Sequence, residues 1–160
     1  MPISRIILSL VFISAPFLVA AEEVNPKSQE ELVKNFAEIH QNLMAKVAVA
    51  DMYYGCHLAK HGDDKGLDDI ETLILKTDKD TLGQKLINCL GDDKIGSEKA
   101  LNFGITGCFT DQTKHMDVKV QSEKMAQVAK AIDALGKEEK QKSFTQCVNN
   151  QALIYLQSQE

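Results

Sequence analysis

The segment Ser28–Gly62, SQEELVKNFAEIHQNLMAKVAVADMYYGCHLAKHG, decides the fold, because it reads as one long helix with both ends marked. Ser28 and Glu31 form an S-x-x-E capping box, in which the hydroxyl takes an amide of the first turn and the carboxylate reaches back to the cap. Lys60 and His61 stand where cations suit the negative helix end, and Gly62 follows where a left-handed residue closes a helix. Between these marks Leu32, Phe36, Ile39, Leu43, Val47, Ala50, Tyr54 and Leu58 recur at steps of three and four, which lays them along one face. At the usual rise per residue the helix spans about 50 Å. From Val47 onward Ala48, Val49, Met52, Tyr53 and Cys56 widen the stripe. The second half therefore needs neighbours on most sides and the first half on one.

The rest of the chain supplies those neighbours as further helices. Leu67, Ile70, Leu73 and Ile74 mark a short second helix after the polar turn that follows Gly62. Asp78 caps a third, with Leu82, Leu86, Cys89 and Leu90 on one face and Gly91 at its end. Ser97 caps a fourth, whose buried side holds Leu101, Ile105, Cys108 and Phe109; Gly104 and Gly107 inside it predict close contact with another backbone or a local break. The stretch 111–119 is the least regular. A fifth helix, from Ser122 or as early as Val118, has Met125, Val128, Ala129, Ile132 and Leu135 on one face, and a sixth runs from near Glu138 almost to the end of the chain. Sustained alternation and hairpin signals are absent. The expectation is an all-α, antiparallel bundle of five or six helices organised around the long N-terminal one.

Residues 1–21 read as a secretory signal peptide: Arg5 ahead of an apolar run, Pro16 breaking it, and Val19, Ala20 and Ala21 ahead of the expected cleavage. Residues 22–160 then form a single helical domain, and the protein is expected to be soluble and exported, periplasmic or secreted. Cleavage removes Arg5, the only arginine, leaving 17 lysines against 23 acidic residues, a net charge of −6. A chain that is acidic and without arginine is not expected to bind nucleic acid.

Four cysteines in an oxidising compartment predict two disulfides. No C-x-x-C pair suggests zinc instead. Counting heights along antiparallel helices brings Cys56 level with Cys89, and Cys108 level with Cys147. Joining Cys89 to Cys108 would need a bridge over about 13 Å of height, beyond what a disulfide spans.

His57 and His61 lie four apart with Asp63 and Asp64 nearby, a candidate metal corner, but no third ligand is fixed by spacing and a solvated helix end explains the same residues. Asp78, Asp80 and Gly83 match part of a calcium loop, which fails at Leu82 and at Cys89, where a glutamate belongs. Nucleophile-elbow, Walker and dinucleotide motifs are absent, so neither cofactor nor catalysis is expected. Two readings remain. One is an interaction protein that engages a protein or membrane surface through Phe36 and the first half of the long helix. The other is a carrier of a small hydrophobic or lipid ligand in a cavity lined by Phe103, Phe109, Phe144 and Tyr155.

Overall fold

A computed structural model describes the backbone of residues 26–158 and the side chains of residues 30–158. The expected signal peptide, residues 1–21, lies outside the described residues. Six helices follow one another: α1 (Pro26–His61), α2 (Ile70–Leu75), α3 (Lys79–Leu90), α4 (Glu98–Thr113), α5 (Val118–Ala134) and α6 (Lys137–Gln157). No strand occurs among the described residues.

Most boundaries follow the local chemistry. Asp78 Oδ1 accepts from the Thr81 amide at 2.8 Å, and Ser97 Oγ accepts from the Ala100 amide at 3.1 Å, so each satisfies a donor that the helix start leaves open. Asp117 caps α5 through the Lys119 amide, which places its start at the earlier of the two expected positions. Gly62 and Gly91 close α1 and α3 with positive φ, a conformation that costs a glycine little. One boundary differs. α1 begins at Pro26 rather than at a cap on Ser28. Proline's fixed φ suits a first helical turn, so Ser28 falls inside the helix; its side chain lies outside the described ones.

The bundle is built on the crossing of α1 and α4. Gly55 in α1 lies against the Phe103 backbone, and Gly107 in α4 lies against the Asp51 backbone, so neither site has room for a β-carbon. The two pairings run in opposite senses along the helices, which makes α4 antiparallel to α1. The two glycines expected inside the fourth helix therefore mark contact and not a break: Gly107 meets backbone, and Gly104 receives the Phe144 ring. α6 runs alongside α4 in the same direction, as the successive pairs Lys140–Glu98, Cys147–Cys108 and Tyr155–Asp111 record.

The core collects Val47 and Ala50 from α1, Leu73 and Ile74 from α2, Leu82 and Leu86 from α3, and matching residues of α4 and α6. α5 contributes less than its sequence suggests. Only Ile132 is buried there, Met125, Val128 and Leu135 are half-buried and Ala129 is exposed, because α5 rests chiefly on α4 and one supporting helix covers a narrow line. Cys56–Cys89 ties α1 to α3 and Cys108–Cys147 ties α4 to α6, with Cα separations of 6.2 and 6.3 Å. Both pairs are the ones the height argument selects.

Candidate functional site

Two features stand apart from ordinary core packing. The first is the N-terminal half of α1. Residues 30–39 are exposed without exception, and Val47 is the first residue of the helix to be fully buried. Residues 30–46 thus form an arm about 25 Å long, whose base already packs against the core through Leu43 and Met44. Along it Leu32, Val33, Phe36 and Ile39 are 65, 68, 53 and 54% exposed. The Phe36 and His40 rings stack one turn apart, with centroids 6.0 Å apart and planes within 4°. Glu30, Glu31, Lys34 and Glu38 lie away from this stripe by helical phase, and Lys46 stands beside it at the base of the arm.

The second feature is a buried polar cluster where α1, α4 and α6 meet. Asp111 accepts the Tyr155 hydroxyl at 2.9 Å and the Gln151 amide at 2.8 Å, and pairs with Lys114 Nζ at 3.0 Å. Gln151 Nε2 also lies 3.3 Å from Asp51 Oδ1. Lys114 reaches on to Glu71 in the first turn of α2 at 3.4 Å. Asp51 is fully buried, and its Oδ2 finds no hydrogen-bond partner among the described residues. Burial pushes its carboxyl well above the usual range; the Gln151 hydrogen bond works against this and the Asp111 charge adds to it. Burial also raises the Tyr155 hydroxyl, as does the neighbouring Asp111. Lys114 is lowered by burial, but its bonds to Asp111 outweigh that and hold it charged. Apart from the Asp51 Oδ2 oxygen each group is engaged by a neighbour, and the bonds tie α1, α4 and α6 together.

The aromatic residues expected to line one cavity are dispersed. Phe144 is buried with its ring on Gly104, and Tyr155 belongs to the polar cluster. Phe103 and Phe109 are half-buried and line different grooves. A separate groove of about 480 Å³ lies between α1, α4 and α5, with Leu58, Met125 and Val128 among its walls and Asp63 and Asp64 also lining it. Tyr54 closes on this edge, its hydroxyl 3.2 Å from Asp64 Oδ2, and burial raises it to about 12.

His57 and His61 stand with ring centroids 4.3 Å apart at the end of α1. Desolvation and the neighbouring His61 lower His57. No group of three histidine, cysteine or acidic side chains is arranged to hold a metal ion among the described residues. All four cysteines are in disulfides. No described helix is long and apolar enough to cross a membrane.

The polar cluster escaped the sequence reading because the bonds that join its helices link residues 40 to 100 apart in the chain. One signal was present: Asp51 interrupts the widest apolar part of α1, where a lone acid needs a partner. No family model, curated protein or solved structure matches the chain.

Proposed function

We propose that this chain is an exported, soluble, non-catalytic helical interaction protein that docks through the arm of α1. The observation that carries the reading is the position of Phe36, which sits on a continuous helix with Ala50 yet stays 53% exposed while Ala50 is at 0%. An apolar stripe of this kind on a helix anchored in a disulfide-tied bundle is pre-ordered for recognition, so little conformational entropy is lost when it is covered.

Replacing each residue by aspartate tests this. Ala50→Asp places an unpaired charge in the core and is expected to lower stability by several kcal/mol, about 4. Phe36→Asp is expected to leave the melting temperature nearly unchanged and to abolish docking. Equal destabilisation by the two would remove the reading.

A second reading, a carrier of a small hydrophobic or lipid ligand, draws on the groove between α1, α4 and α5. Solvent extraction and mass spectrometry of the purified protein would reveal its cargo.

A further inference from the structure

We infer that the groove between α1, α4 and α5 takes an organic cation: a small ligand with an apolar body and one amine or quaternary ammonium head. This inference rests on the carrier reading of the groove and names the chemical class of its cargo.

The walls are the first argument. At about 480 Å³ the groove lies within the range of small-molecule sites. Leu58 of α1 and Val118, Met125, Val128 and Ala129 of α5 give it an apolar lining. Thr106 and Thr110 of α4 turn their hydroxyls onto their own helix, donating to the Asn102 and Thr106 carbonyls at 3.0 and 2.8 Å. The bundle leaves the α5 wall incompletely covered: Met125 and Val128 stay half-buried, Ala129 is exposed and Val118 is 80% exposed. That apolar surface is what a ligand body takes out of water.

Charge decides the head. Asp63 and Asp64, from the turn after α1, are the only charged side chains lining the groove among the described residues. Asp63 is already balanced, with Oδ2 3.1 Å from Lys65 Nζ and Oδ1 accepting from the Lys65 amide at 3.2 Å. Asp64 is not. Its Oδ2 accepts the Tyr54 hydroxyl at 3.2 Å, a neutral donor that orients the carboxylate and leaves its charge in place. Tyr54 is held as the phenol, raised to about 12 by burial and then by the Asp64 charge.

The acidic end is also fixed in position. Gly62 turns the chain at positive φ, and Tyr54, ten residues before Asp64, ties that carboxylate back to α1. An ammonium placed there meets opposite charge beside an apolar wall, where attraction is screened less than in open water. A fatty acid fits less well. Its carboxylate would approach Asp64 with no lysine or histidine lining the groove to receive it.

Titration of the isotope-labelled, oxidised protein with octylammonium, octanol and octanoate, followed by amide NMR, tests the inference. Octylammonium is expected to shift amides of the groove walls saturably and to bind about fivefold tighter than octanoate, the scale of one partly exposed ion pair. Asp64→Asn should bring the two close to parity. Ala129→Trp, which sets a large ring on an exposed wall, should weaken all three probes alike, and Phe36→Asp on the arm should change none. Should Ala129→Trp melt early, Ser122→Trp on the same exposed wall takes its place. Octanoate binding in the groove as tightly as octylammonium overturns the cation and leaves the groove a carrier site. A preference that survives Asp64→Asn, or binding that is lost in Phe36→Asp, overturns the inference as well. If no probe shifts the groove, the cation and the carrier reading fall together.

Discussion

Gly107 of α4 lies flat against the Asp51 carbonyl of α1, and the space a side chain would need is filled by that backbone. Gly55 repeats the arrangement in the other direction one turn along, against the Phe103 carbonyl. The two helices therefore approach more closely than any pair of side chains would allow. Gly107→Ala is expected to force them apart and cost about 3 kcal/mol in chemical denaturation. Gly83→Ala in α3, where an added β-carbon meets nothing within 4 Å, should instead gain about 1 kcal/mol from helix propensity. The same replacement with opposite signs separates packing from propensity.

The disulfides close loops of 33 and 39 residues. Loop-closure entropy at those lengths gives each about 4 kcal/mol, so reduction is expected to bring the protein close to its unfolding threshold. Intact mass after alkylation of the denatured, unreduced protein should show no modified cysteine. Melting with and without reductant reads the stability term, and two alkylated cysteines would refute the pairing.

The legibility of this chain divides along physical lines. Helix positions, the caps other than Ser28, and cysteine pairing were readable because each rests on spacing within a few residues or on heights that follow from helix rise. Leu32, Phe36 and Ile39 read the same whether covered or bare, since periodicity records a face and not its occupant. Only the point where the stripe widens, at Val47, separated the two halves. Gly55 was hidden for another reason: one glycine in a helix reveals its role only when the backbone opposite it is known. The contacts among Asp51, Asp111, Gln151 and Tyr155 join residues distant in sequence, and the local pattern shows only that Asp51 needs a partner, not which one.

Tyr155 packs its ring in the core and offers its hydroxyl to both oxygens of Asp111, at 2.9 Å each. Tyr155→Phe keeps the ring and removes the donor. The expected loss is about 2 kcal/mol, the size of a hydrogen bond to a charged partner. In combination with Asp111→Asn, which keeps an acceptor oxygen but takes away its charge, the losses should be less than additive, because both changes weaken the same charge-assisted bond. Strict additivity in urea denaturation would show that the cluster does not act as a unit.

Asp51 makes stability depend on pH, with a sign opposite to that of an exposed carboxylate cap. Burial holds its proton in the folded protein well above the ordinary value of 3.8, while the unfolded chain releases it near that value. Above 3.8 unfolding therefore releases a proton, and stability falls as pH rises until the folded carboxyl ionises in turn. Asp69 and Asp78 work in the other direction, since the Thr72 and Thr81 groups they cap lower them and their stabilisation is lost in acid. Those groups are the same in wild type and variant, so a difference curve removes them. Asp51→Asn keeps an oxygen for Gln151 and takes away the titrating group. The difference in melting temperature, variant minus wild type, is expected to be smallest near pH 4 and to grow in favour of the variant toward pH 7. A difference that stays constant over that range would mean that the Asp51 carboxyl titrates alike in the folded and unfolded chain and that burial does not hold its proton.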